Sequence, residues 1–190
     1  MSSEVIAIET KANKSWYLLV AALAVAVDQI SKYLVTKHLS NGGEIVVIKN
    51  FFVLAYTENR GIAFGMFGDY EIRWLLAAIS LAAIVFVLYY LLRAPASSRL
   101  LLWSLALLAG GIGGNLIDRV RLGKVVDFFE FFYRDWHFPV FNVADTAITI
   151  GAALMAIELF AASPQPIESK QPDKEFALPE SATEIKSQNE

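Results

Sequence analysis

Cysteine is absent from the 190 residues. Disulfides, thiolate metal sites and a cysteine nucleophile are therefore excluded, and the chain has no cysteine of its own to carry a lipid. Histidine is scarce: His38 and His137 are the only two, and no His-Glu-x-x-His brings a pair together, which removes the helical zinc-protease arrangement. Gly-x-Ser-Gly, a setting for an intramembrane serine nucleophile, is missing, and so is Gly-x-Gly-Asp. Charged residues make up only 18% of the chain and the net charge of −3 shows no basic excess, so nucleic acid is not an expected partner. Among hydrolytic chemistries, these absences leave carboxylates.

Apolar residues are what the chain has in abundance: at 56%, too many for an ordinary soluble domain of this length. Residues 16–39, 74–92, 100–117 and 141–162 form four stretches that approach the roughly 20 residues needed to cross a bilayer core. The expected fold is an all-α membrane protein, a bundle of four transmembrane helices over residues 15–162. A polar segment, residues 1–14, precedes it. Residues 163–190 follow as a disordered tail in which Pro164, Pro166, Pro172 and Pro179 alternate with Lys, Glu and Gln. The first apolar run resembles a signal-peptide core in following Lys11 and Lys14. However, Asp28, Gln29 and Lys32 stand where small cleavage-site residues would be, so it is read as a retained span.

Residues 44–48 and 51–56, around Lys49-Asn50, predict a small β-hairpin between the first and second helices. Its backbone could not face lipid unpaired, so it belongs at the interface. Residues 93–99 are a tight polar link, which makes the second and third helices antiparallel neighbours. Residues 120–139 place Phe128, Phe129, Phe131, Phe132, Tyr133, Trp136 and Phe138 among charges, an interfacial composition. Four spans put both termini on one side. Charge does not say which side: seven basic residues would share the side of the termini and nine the other.

Within this apolar chain, Asp127 in Val-Val-Asp-Phe-Phe and Asp145 in Asn-Val-Ala-Asp-Thr-Ala stand out, because ionised carboxylates are costly in such company and usually mark function. Brought together, two such groups would share one proton, giving one acid and one base near neutral pH. At about 100° per residue, Asn142, Asp145, Thr146 and Thr149 share one face of the fourth helix. That face looks into the bundle or a wet cavity, for catalysis or for interhelical hydrogen bonding. On the third helix, Gly110 and Gly114 allow close helix approach. Gly111, Asn115, Asp118 and Arg119 line the adjoining face, with Asp118 expected to pair with Arg119 or Arg121. Asn115 and Arg119 carry groups suited to carbonyl and carboxylate partners. Asp28 and Lys32 have the spacing of a structural ion pair. Asn59-Arg60-Gly61 in the first loop permits a substrate contact.

Four blocks in register resemble the type II signal peptidases, the prolipoprotein signal peptidases of bacteria. They are Asp28-Gln29-Ile-Ser-Lys32; Asn59-Arg-Gly61-Ile-Ala63-Phe64; Gly110-Gly111-Ile-Gly-Gly114-Asn115-Leu-Ile-Asp118-Arg119, running on through Asp127-Phe128; and Phe141-Asn142-Val-Ala144-Asp145. Ile62 and Gly113 depart from residues common in the family. The resemblance implies a catalytic pair, Asp127 and Asp145, with Asn59, Gly111, Asn115, Arg119, Asn142 and Ala144 around substrate, and Asp28 and Lys32 in support. It also implies a diacylglyceryl-prolipoprotein substrate, contact with membrane lipid and no metal or other cofactor. The protein is then expected to act as a monomer in the bacterial inner membrane, with both termini cytoplasmic and the carboxylates near the outer leaflet. The alternatives read from the residues are a small ion or solute transporter and a non-catalytic membrane scaffold.

Overall fold

The computed structural model describes residues 14–61 and 69–161; residues 1–13 of the polar lead-in, residues 62–64 of the first-loop block and the Pro-rich tail lie outside them. In chain order the elements are α1 (Ser15–Leu39), β1 (Glu44–Ile48), β2 (Phe52–Asn59), α2 (Asp69–Arg93), α3 (Arg99–Leu122), β3 (Val125–Tyr133), β4 (Trp136–His137) and α4 (Val143–Ala161). All four helices are long and apolar enough to cross a membrane. Helix α3 is the hub: 56% of its apolar window is buried, against 17% in each of the others. It packs against α1, α2 and α4 in turn.

Small residues explain why α3 can take three neighbours. A Cβ on Gly110 would stand 2.6 Å from Ala24 Cβ and 2.8 Å from the Ala21 carbonyl on α1. One on Gly111 would collide with the Ala144 carbonyl on α4, and one on Gly114 would lie 2.5 Å from the Asp28 carboxylate. Backbones come this close only where side chains are absent. The last turn of α3 ends at Gly123, whose left-handed backbone (φ 75°) returns its N–H to the Arg119 carbonyl at 3.1 Å. Side chains from outside a helix also reach its last carbonyls. Lys14 Nζ donates to the Leu92 and Ala94 carbonyls at 2.6 and 2.7 Å, and Arg73 Nε donates to the Arg119 carbonyl at 3.0 Å.

The expected hairpin is present, with Asn50 turning at φ 60°, but it is half of a larger sheet. Four antiparallel strands run in the order β1-β2-β3-β4, so the aromatic segment after α3, read from its composition only as interfacial, supplies two strands. Period-two alternation is hidden in β3 because Val125, Val126, Asp127 and Phe128 are all buried in succession. Strand β2 also runs to Asn59, beyond the expected end at residue 56. Its pairing with β3 shifts register between Leu54 and Thr57, the signature of a bulge; beyond it Thr57 stands opposite Asp127 and Asn59 opposite Val125.

Candidate active site

Asp127 and Asp145 arrive from different elements, a buried strand and the first turn of a helix, and meet through shared partners. Asn142 is the N-cap of α4. Its Oδ1 accepts the Asp145 backbone N–H at 2.9 Å, and its own backbone N–H donates to Asp145 Oδ2 at 3.2 Å. This is the reciprocal pattern of a capping box, with aspartate in the third helical position. The other end of the same amide reaches across: Asn142 Nδ2 donates to Asp127 Oδ1 at 2.6 Å. One asparagine therefore holds both carboxylate-bearing residues.

Each of the four carboxylate oxygens receives an N–H. Asn59 Nδ2 donates to Asp127 Oδ2 at 3.0 Å, and its amide is turned that way because Asn59 Oδ1 accepts the Gly61 N–H at 2.8 Å. Asn115 Nδ2 donates to Asp145 Oδ1 at 2.8 Å. Asp127 is only 2% exposed, and this burial pushes its carboxyl above the usual carboxylate range. The Asn59 hydrogen bond opposes that rise, the nearby Asp145 charge adds to it, and the Asn142 hydrogen bond and the Lys32 charge oppose it. A cleft of about 450 Å³, lined by Asn59, Arg60, Asp127, Pro139 and Val140 among others, opens beside Asp127.

Behind the pair lies a buried ionic cluster. Lys32 Nζ donates to Asp28 Oδ2, Asp118 Oδ2 and Asn115 Oδ1, each at 2.9 Å, which uses all three ammonium hydrogens. The expected Asp28–Lys32 pair is present. The expected partners of Asp118 are not: it pairs with Lys32, because α3 turns that residue toward α1, away from the neighbouring arginines. The two acids then reach the backbone next to each carboxylate of the site. Asp28 Oδ1 accepts the Ala144 N–H at 2.9 Å, one residue before Asp145, and Asp118 Oδ2 accepts the Val126 N–H at 3.2 Å, one residue before Asp127.

Among the remaining sequence candidates, Gly111 and Ala144 meet at the α3–α4 seam. Arg119 is half-buried in the electrostatic field of Asp145, Asp118 and Asp127. Among the described residues its guanidinium makes one hydrogen bond, a long one of 3.4 Å to Ser80. Thr146 and Thr149 bond carbonyls of their own helix rather than a neighbouring one. Gln29, which the sequence does not mark as a site residue, donates from its amide to Asp28, Asp118 and the Gly114 carbonyl. The clue was available: an amide beside an acid within an apolar run. Among the described residues no three His, Asp or Glu side chains are grouped to hold a metal ion.

The family model for signal peptidase (SPase) II matches residues 20–161. The chain belongs to the signal peptidase II family. It is 42% identical over 142 residues to the lipoprotein signal peptidase of Symbiobacterium thermophilum, covering 75% of this chain and 92% of that one. The lipoprotein signal peptidase of Clostridium tetani is 41% identical over 141 residues, covering 74% and 89%. A bacterial membrane enzyme solved by the in meso method at 1.9 Å matches with a TM-score of 0.71 at 29% identity, over 78% of this chain and 95% of that one. The same kind of enzyme solved at 2.3 Å gives 0.71 at 28% identity, over 83% and 95%. As a signal peptidase II family member the protein is a membrane protease, and the expected bundle of four helices with a small sheet is its fold.

Proposed function

We propose that the protein is an intramembrane aspartic endopeptidase that removes the signal peptide from diacylglyceryl-modified prolipoproteins, cutting on the N-terminal side of the lipidated cysteine. The observation that carries this is the meeting of Asp127 and Asp145 at the two ends of the Asn142 amide. One N–H on each carboxylate oxygen leaves lone pairs for a water and a single shared proton. The ionised carboxylate removes a proton from that water as it attacks the scissile carbonyl, and the protonated one hydrogen-bonds the developing oxyanion. The pair then protonates the departing amine. Burial of Asp127 favours keeping one proton at the site. A bell-shaped pH profile follows: below it the base is protonated, above it the acid is lost.

The substrate assignment rests on family membership and on a site at one end of an apolar bundle, where acyl chains would hold the scissile bond. In this reading the protein acts in the bacterial inner membrane as a monomer, with both termini cytoplasmic and the carboxylates near the outer leaflet. The test is cleavage of a purified diacylated precursor by the reconstituted protein. The expected product is a mature peptide beginning at the lipidated cysteine. Ion or solute flux through the vesicles with no cleavage would instead make the protein a transporter.

Arg119, with most of its donors unused among the described residues, would grip a substrate carbonyl or lipid phosphate with its planar fork. Arg119→Lys keeps the charge and loses the fork. The expected result is a fall in kcat/KM of about 10- to 100-fold, the worth of a charged hydrogen bond. An unchanged kcat/KM would reduce Arg119 to a plain electrostatic role.

A further inference from the structure

The proposed reaction requires one charged and one protonated carboxyl, and the surroundings of the two are unequal. We propose that Lys32, acting through Asn115, is a positioning residue that keeps the pair's negative charge on Asp145 and its shared proton on Asp127. The inference rests on the dyad reading above and assigns the roles within it.

An ammonium group can only donate, so the Asn115 oxygen must face Lys32, 2.9 Å away. That leaves the Asn115 N–H pointing at Asp145 Oδ1, 2.8 Å away. The buried cation polarises the amide and strengthens the hydrogen bond it passes on. Asp145 also lies in the first turn of α4, where aligned peptide dipoles favour negative charge, and its other oxygen takes a backbone N–H. Asp127 sits on β3, where alternating strands supply little dipole. Its donors are two neutral side-chain amides, Asn59 and Asn142.

Charged groups face the pair from several elements. Asp28 and Lys32 come from α1, Asp118 and Arg119 from α3, and Glu58 and Arg60 from the end of β2 and the residue after it, beside the cleft. Asp28 and Asp118 together carry one more charge than Lys32 offsets, but both spend their oxygens on Lys32, Gln29 and backbone N–H groups. The Lys32 charge also bears on Asp127 through space, but only Asp145 receives a hydrogen bond from an amide that Lys32 itself holds. Glu58 is turned to Lys124 and Tyr56.

The test is the pH dependence of kcat on a synthetic diacylated precursor, measured with the full-length protein. Removing a donor from the charged member raises the pH at which it gains a proton. Asn115→Ala is therefore expected to move the acid limb up by about one pH unit and leave the alkaline limb in place. Lys32→Met combined with Asp118→Asn, which removes one charge of each sign, is expected to do the same. Asn59→Ala, which removes a donor from Asp127, is expected to move the alkaline limb instead. An alkaline shift in Asn115→Ala, or an equal loss of rate at every pH with both limbs unmoved, would overturn the proposal.

A second measurement does not depend on the activity of these variants. In protein carrying ¹³C-carboxyl aspartate, the resonances missing from Asp127→Asn and Asp145→Asn identify the pair. At the pH of maximal rate in the wild type, the Asp127 signal should be that of a neutral acid and the Asp145 signal that of a carboxylate. The reverse assignment, or two equal averaged signals, would overturn the proposal. If either Asn variant still cleaves precursor, the dyad itself is wrong; if both are inactive and the limbs do not move, only the role of Lys32 falls.

Discussion

Lys32→Ala is expected to destabilise the protein by about 3–5 kcal/mol, because it strands two buried carboxylates without their cation. Asp28 is 0% and Asp118 3% exposed, so both carboxylates lose their cation while held away from bulk water. The damage would also reach the candidate active site along two short paths. Asp28 holds the N–H of Ala144 and Asp118 that of Val126, so weakening both loosens the backbone next to Asp145 and Asp127 together. Adding Asp118→Asn should recover part of the loss, since one unpaired charge goes with it. Equilibrium unfolding in detergent checks both variants. A Lys32→Ala protein within about 1 kcal/mol of wild type would mean that the cluster is solvated or neutral rather than a buried ionic clamp.

Long uninterrupted apolar runs made the four spans legible, because length and composition alone set what can cross a bilayer. The β1–β2 hairpin was legible from its turn residues. Strands β3 and β4 were not: an alternation test fails where consecutive residues are all buried, and aromatic residues among charges describe an interface without describing its backbone. The two aspartates were visible because charge is conspicuous in apolar sequence. Their partners were visible as residue types, while the pairing of Asp118 was not, because helix rotation decides whether it faces Arg121 or Lys32. The motif Asn142-x-x-Asp145 carried a capping signal that fixes the orientation of both residues. Reading it as one face of a continuous helix obscured that Asn142 sits at the helix start.

Asp127→Asn and Asp145→Asn are each expected to reduce cleavage by at least about a thousandfold, since either change removes the acid–base exchange while preserving shape. Each new amide must turn its NH₂ toward an existing donor, a cost of about 1–3 kcal/mol. The ion pairs of Lys32 with Asp28 and Asp118 are untouched, so the bundle should remain folded. Binding of precursor should survive as well, because in the proposed reaction the acyl chains and the signal segment would make contacts away from the carboxylates. Single-turnover cleavage of a diacylated precursor by wild type and by each of these two variants, with precursor binding measured in parallel, decides whether the two aspartates form the catalytic centre. The expected result is that both variants bind the precursor and leave it intact. Processing by either variant at near the wild-type rate would contradict a shared-proton pair of aspartates as the catalytic centre.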